Sequence, residues 1–266
     1  MDRALAQGPR TVVALEGRLR HCRNVITLGV RPRFADYGPE AQALIRQAPA
    51  IYHPGAFYAQ LIASMGKKTF PGPGQYWYAQ DKIRQTALFG LLGIAHPPTR
   101  VFYGPRQKAS ITDWFGFPFV AKMPRGSARG RGVFLIRDHG DLQRYCRLTH
   151  VAYIQHYLPC DRDLRVVVIN GRVVHAYWRR CRQGDFRANV AAGGRIGLEP
   201  VPAGALALAL HTAAACGFDD VGIDILPHDG HFYVIEANMK YGLAGFERAG
   251  IDYRALMEEM IASGEI

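Results

Sequence analysis

Cysteine is scarce and scattered in this 266-residue chain. Its five cysteines, Cys22, Cys146, Cys160, Cys181 and Cys216, are odd in number and never spaced C-x-x-C. That pattern disfavours a disulfide framework or a zinc site and points to a reducing compartment. Long apolar runs are missing as well. None approaches the roughly 18 residues a membrane span needs, and Met1 to Arg10 lack the apolar stretch of a secretory signal. No internal repeat or low-complexity tract is visible. The 29 glycines and 16 prolines mark many turns but lack the period collagen requires. With 48% hydrophobic and 21% charged residues, the chain can fill a core and is too mixed for disorder. These absences leave a cytoplasmic globular protein of about two domains.

Acidic residues are thin in one stretch in particular. Between Lys122 and Arg195 stand 15 Lys+Arg against 5 Asp+Glu, so 15 − 5 gives +10 of the chain's net +11. A positive field so concentrated attracts a polyanion, either nucleic acid or a multiply charged small molecule such as ATP. A solvated basic face has the same composition.

The N-terminal third alternates strands and helices. Thr11 to Leu15, Asn24 to Val30 and Ala50 to His53 read as strands, and Glu40 to Gln47 and Ala56 to Met65 as helices. Phe70-Pro71-Gly72-Pro73-Gly74 breaks regular structure and marks a boundary. A helix follows from Asp81 to Leu92. From Phe117 onward the pattern turns to antiparallel β with few helices. Its clearest hairpin joins Asp163–Asn170 to Arg172–Arg179 through Asn170-Gly171, which favours a type I′ turn. Helices are expected again at Ala203–Cys216 and Tyr253–Ala262. The expected fold class is α/β, with α+β lobes after the first domain.

Three sets of residues carry chemistry. Lys122 ends an apolar strand and precedes Gly126, Gly130 and Gly132, a hairpin loop rich in free backbone N–H groups that suits phosphate. Asp224 and Glu236-x-Asn238 lie on the two strands of a second hairpin. A three-residue loop, His228-Asp229-Gly230, would set Asp224 opposite Val234 and on one face with Glu236 and Asn238. Two carboxylates and an amide oxygen are hard ligands for Mg²⁺; they also describe two exposed strand acids beside a turn. Arg187 and Asn189, two apart, would offer a guanidinium and an amide to phosphate oxygens, or form a plain surface loop.

In order along the chain, these pieces resemble the ATP-grasp superfamily, specifically the RimK-like glutamate ligases. They are Asp81-Lys82, Phe119-Val120-x-Lys122, Tyr153-Ile154-Gln155-His156-Tyr157-Leu158, Asp163-Leu164-Arg165, Gly184-Asp185-Phe186-Arg187-x-Asn189, Val221-Gly222-Ile223-Asp224 and Glu236-x-Asn238. The resemblance covers about Ala79 to Ile261. It implies a preATP-grasp αβ domain over residues 1–78, a central lobe with the glycine loop over 79–154 and a C-terminal lobe with the metal site over 155–266. By the same resemblance, Lys82, Lys122, Gly126, Gly130 and Gly132 would meet the ATP phosphates. Gln155, His156 and Tyr157 would hold adenine, largely through the backbone, and Asp163 the ribose. Arg187 and Asn189 would contact the phosphates, with Arg187 catalytic, and Asp224, Glu236 and Asn238 would bind Mg²⁺ or Mn²⁺.

The implied reaction is ATP-dependent amide or peptide bond formation through an acyl phosphate, adding glutamate or a similar amino acid. The implied partners are ATP, a carboxylate donor and an amine acceptor such as an amino acid or an acidic peptide, which Arg125, Arg129 and Arg131 would attract. A homo-oligomer is compatible with this reading. The alternatives are a grasp-fold polyanion binder without catalysis and a ligase for another substrate. Two departures stand out: His156 replaces the family's usual acidic residue, and Met239-Lys240-Tyr241-Gly242 replaces Ser-Pro-Gly after Asn238.

Overall fold

The computed structural model describes residues 11–126, 132–182, 186 and 194–266. They form two compact units: residues up to Trp77 with 217–220 and 246–266, and residues 78–216 with 221–245. The sequence reading assigns all of 155–266 to one C-terminal lobe. Residues 217–220 and 246–266 instead belong with the N-terminal segment, and side chains explain why. The C-terminal helix Tyr253–Ala262 buries Met257, Met260 and Ile261. Glu258 Oε1 accepts the Arg23 N–H at 2.7 Å, and the Glu258 carbonyl accepts from Asn24 Nδ2 at 2.9 Å.

In the first unit, β1 (Val12–Ala14), β2 (Val25–Thr27), β3 (Ala50–Tyr52) and β4 (Lys68–Phe70) form a sheet of order β2-β1-β3-β4. Its pairings are all parallel. Such sheets are stable when helices cover them. Here α1 (Pro39–Gln47) and α2 (Gly55–Ser64) supply Ile45, Tyr58 and Ile62 to a core with Val13, Leu15 and Ile51. Arg18 to Arg23, which show no period in sequence, overlap a short 3₁₀ turn at Gly17–Leu19. Just past β3, His53 Nε2 lies 3.7 Å from Asp220 Oδ2, and both side chains are buried.

The second unit opens with α3 (Lys82–Leu91). It contains an antiparallel sheet of β5 (Thr99–Tyr103), β6 (Phe119–Lys122), β7 (Val133–Ile136) and β8 (Val151–His156) in the order β5-β8-β6-β7. Helix His139–Leu148 packs Leu142 and Tyr145 against Phe119, Ile136 and Ile154. This helix interrupts a stretch read as β. Its start signal was present, since Asp138 caps it by accepting from the Asp141 N–H at 2.8 Å. The larger sheet comprises β9 (Arg162–Ile169), β10 (Arg172–Arg180), β11 (Arg195–Gly197), β12 (Asp220–His228) and β13 (His231–Asn238) in the order β11-β10-β9-β12-β13. Helix Ala203–Cys216 turns Ala205, Ala209, Thr212 and Ala213 inward.

Candidate active site

Two hairpins of the five-stranded sheet build one charged face, and each does so with a bulge. The β9–β10 turn is Asn170-Gly171, with φ +46° and +73°, as type I′ demands. Pairing begins at Arg172 opposite Ile169, but between Val173 and His175 the register shifts. Val174 is the extra residue. The shift sets Arg179 opposite Asp163 and Tyr177 opposite Arg165, where an unbroken ladder would turn Arg179 to the other face.

The β12–β13 hairpin repeats the device. His228 pairs with His231 across a two-residue turn, Asp229-Gly230, rather than the expected three-residue loop. Counted back from that turn, Asp224 would oppose Ile235 and face away from Glu236. A register shift after Ile225↔Val234 makes Ile235 the extra residue, and Asp224 pairs with Glu236. The expected grouping of Asp224, Glu236 and Asn238 is therefore present. Its register differs from the expected one, with Glu236 rather than Val234 opposite Asp224.

Asp224 is the hub of this face. Arg165 Nε and Nη2 both donate to it, the latter at 3.1 Å, and Arg179 Nη2 and Asn238 Nδ2 each lie 3.1 Å from Oδ2. Arg179 is shared with Asp163, donating through Nε and Nη2 at 2.7 Å each. Burial pushes the Asp224 carboxyl up, but the two guanidiniums outweigh it and hold it below the usual carboxylate range. Gly222 leaves room for this packing: a Cβ there would lie 2.9 Å from Arg165 Cδ and 2.8 Å from Tyr241 Cβ. Tyr241, in the stretch that departs from the family pattern, is thus buried next to Arg165.

Two lysines complete the site from other elements. Lys82 is the first residue of α3, whose N-cap Asp81 accepts from the Arg84 N–H at 3.0 Å. Its N–H donates to the Pro124 carbonyl at 3.0 Å, and Arg125 Nε donates to Asp81 Oδ2 at 2.8 Å. These bonds staple the root of the glycine loop to the head of the helix. Lys82 Nζ then reaches Glu236 Oε1 at 3.0 Å. One turn on, the buried Gln85 donates to the Ala237 carbonyl at 2.8 Å and accepts the Ala237 N–H at 3.0 Å. It thereby clamps the residue between Glu236 and Asn238. Lys122, at the end of β6, is buried, and that burial pushes its ammonium down to about 8. Glu236 and Asp224 oppose the shift, and nearby Lys82 adds to it.

The remaining expectations divide. Gly126 and Gly132 both have positive φ at the described ends of the loop. Gln155 is buried, with its amide donating to Thr99 Oγ1 at 2.9 Å. The His156 ring sits 5.0 Å from Phe115, on the strand face away from Tyr153 and Lys122, and its N–H donates to the Pro98 carbonyl. His156 is therefore turned away from the lysines, because alternation along β8 gives Tyr153 and Gln155 that face. Tyr157 lies 6.3 Å from the Phe186 ring, centroid to centroid. Asp163, expected at the ribose, accepts from Arg179 through both of its oxygens. Gly130, Arg187 and Asn189, with Arg129 and Arg131, lie outside the described residues. Arg165, Arg179 and Gln85 are site residues that the sequence reading did not assign.

Among the described residues no three His, Cys, Asp or Glu side chains gather as metal ligands. The candidate set has two carboxylates and an amide, and as oxygen donors on one strand face these fit a hard divalent cation. The model of the RimK-like ATP-grasp domain matches residues 79–261. The chain belongs to this family. A probable alpha-L-glutamate ligase of Citrobacter koseri is 30% identical over 191 residues, 69% of this chain and 63% of that protein. A beta-citrylglutamate synthase B of Danio rerio is 33% identical over 181 residues, covering 64% of this chain and 44% of that one. The chain thus spans under two thirds of the length of these curated relatives.

Solved structures extend the likeness in fold. A RimK-domain ATP-grasp protein from Sphaerobacter thermophilus superposes with TM-score 0.67 at 17% identity, over 94% of this chain and 99% of that one. A D-alanine–D-alanine ligase from Bacillus anthracis gives 0.69 at 14% identity, over 96% of each chain. The fold is the α/β ATP-grasp fold. No helix among the described residues is long and apolar enough to cross a membrane, and all five cysteines are free.

Proposed function

We propose that this RimK-like protein is an ATP-dependent carboxylate–amine ligase that attaches glutamate, or a similar amino acid, to an acceptor. One observation carries the reading: Arg165 and Arg179 with Asp224, Glu236 and Asn238 on one face of the larger sheet, Lys82 at the head of α3 and Lys122 at the end of β6 form one charged cluster. Four cations beside an oxygen-donor set suit a triphosphate with its metal, and little else of that size.

The chemistry has two displacements. A carboxylate oxygen attacks the γ-phosphorus of ATP, the bond to the β-γ bridging oxygen breaks, and ADP leaves. An amine nitrogen then attacks the acyl carbon, phosphate leaves with the C–O electron pair, and the nitrogen gives up one proton. Both displacements gather negative charge on phosphate oxygens, so fixed cations lower both barriers. Lys82 and Lys122 would bind the phosphates, and Arg165 and Arg179 would orient Asp224 while offering N–H groups toward the transferring oxygens. Arg187 and Asn189, by the family pattern, would join them, and the glycine loop would cover the nucleotide. A Mg²⁺ or Mn²⁺ ion held by Asp224, Glu236 and Asn238 would supply charge neutralisation at the phosphates.

The names of similar proteins guide the choice of acceptor. One relative is a ribosomal protein bS6–L-glutamate ligase of Escherichia fergusonii, and one structural neighbour is a ligase complexed with a precursor peptide. A polypeptide acceptor, in the cytoplasm, fits this company. The rival reading, a polyanion binder, loses ground at the site itself, where Lys122, Arg165 and Arg179 are buried. Two of the three tryptophans already carry an arginine over one ring face, Arg162 at 4.1 Å from the Trp178 centroid and Arg100 at 3.5 Å from that of Trp114.

The test is ADP release from Mg-ATP across an array of carboxylate donors and amine acceptors, with glutamate in both roles and acidic peptides among the acceptors. Acceptor-dependent ADP release is the expected result. Failure of every pair, with salt-sensitive RNA or DNA binding in its place, would falsify the ligase reading.

A further inference from the structure

In this structure the cations that would grip phosphate already hold the carboxylates that would grip metal. Lys82, its side chain only 6% exposed, has Glu236 Oε1 3.0 Å from its ammonium. Both oxygens of Asp224 are engaged, by Arg165, Arg179 and Asn238. Four cations (Lys82, Lys122, Arg165, Arg179) face three carboxylates (Asp163, Asp224, Glu236), so the site sits near neutrality on its own.

We infer that these pairs are stand-ins for the ligands, so that divalent metal and nucleotide bind as a couple and each is resisted alone. The inference rests on the ligase reading and concerns how its site is regulated. A metal ion arriving alone must draw Glu236 from a buried ammonium, which loses its carboxylate partner in a place where unbalanced charge is expensive. A nucleotide arriving alone must draw Lys82 and Arg179 from carboxylates that are left facing its phosphates. When both arrive, every pair is exchanged for another: lysine and arginine pass to phosphate, and the carboxylates pass to metal. The site would thus be closed to free metal in proportion to how well its own charges match.

The consequence is counter-intuitive and can be measured without turnover. Lys82→Met removes a phosphate ligand, yet it frees Glu236. In Mn²⁺ titrations followed by electron paramagnetic resonance, without nucleotide, this variant should bind Mn²⁺ about tenfold more tightly than wild type. Lys82→Arg keeps a cation on Glu236 and should return Mn²⁺ affinity to the wild-type value. Mn²⁺ binding to Lys82→Met no tighter than to wild type would overturn the inference.

A second measurement needs no variant. In the wild-type chain ADP and Mn²⁺ should raise each other's affinity by the same factor, about tenfold or more beyond their own association in water. A factor of one overturns the idea as well. If the wild-type chain binds neither ADP nor a non-hydrolysable ATP analogue with Mg²⁺ in excess, the ligase reading itself fails. If it binds them while both tests above come out flat, only this inference does.

Discussion

The guanidinium–carboxylate face of β9, β10, β12 and β13 and the lysine pair of α3 and β6 meet at Glu236, but they are built by different means. On the sheet, position comes from register: two hairpins, two bulges, and side chains that hold one another. Asp224, Arg165 and Arg179 form a buried network in which each charge is balanced by a neighbour. The lysines are positioned differently, although Lys82 also pairs with Glu236 at 3.0 Å. Lys82 is placed by uncharged and exposed groups, namely the Gln85 clamp on Ala237, the Pro124 carbonyl and the Asp81–Arg125 pair. Lys122 is held by burial against its own charge. The sheet half should therefore be stiff and brittle to substitution, and the lysine half tunable.

The sharpest break is Asp224→Asn. It keeps the shape but leaves two buried guanidiniums without their shared charge, so ADP formation should fall by about two orders of magnitude or more. If Asp224 were one of two exposed strand acids beside a turn, this variant would keep its fold. The structure instead forecasts a loss of about 3–5 kcal/mol, the usual consequence of removing one partner from a buried pair. Chemical denaturation beside an activity assay separates the two effects; an unchanged midpoint would show that the network is not the stiff half.

Next is Gln85→Leu, which strands the buried N–H and carbonyl of Ala237. About 1–3 kcal/mol of stability should go for each unmet group. The Michaelis constant for ATP should rise severalfold through Lys82, with the one for the acceptor unmoved. Equal rises in both would place Gln85 outside the lysine half.

A pH titration reaches Lys122. Its ammonium is charged below about 8 and neutral above, against about 10.5 when unfolded. Nucleotide affinity should therefore weaken as pH rises through 8, by up to about tenfold per unit if the charge is essential. Stability moves the other way. Between about 8 and 10.5 the unfolded chain holds the extra proton, so Lys122's contribution becomes less unfavourable to folding as pH rises. A Lys122→Met variant should flatten both profiles, and an unaltered pair of profiles would free Lys122 of this role.

Arg125→Gln should do least. Its ion pair with Asp81 is mostly exposed on the arginine side, and such pairs contribute about 0–1 kcal/mol. Because Arg125 is engaged at Asp81, a small rise should appear in the Michaelis constant for ATP. A rise confined to an acidic acceptor would instead return Arg125 to the acceptor-attracting role that its sequence position suggests.

What was legible in the sequence were the parts that chemistry repeats. Asp224, Glu236, Asn238, Lys82 and Lys122 carry type and spacing that point to metal and phosphate, and the Asn170-Gly171 turn declares its geometry. The helices at Ala203–Cys216 and Tyr253–Ala262 also lie where periodicity and capping put them. The arginines were harder to place. Arg179 reaches the site only because Val174 is extra, and nothing in a run of valines announces which one will be skipped. Gln85 was silent for another reason: a neutral residue on an amphipathic helix acquires meaning only when a strand residue 152 positions away runs past it. His156 shows the converse, since a motif position names a residue without saying which face it takes.

Turn and bulge together fix the parity of each hairpin. Beyond Val174 and Ile235 a substitution that keeps the two-residue turn leaves Arg179 and Glu236 on the face they share. Losing one residue at either bulge would be a different event. It would rotate a whole strand end by half a turn and deliver an arginine or a glutamate into the hydrocarbon layer beneath the sheet.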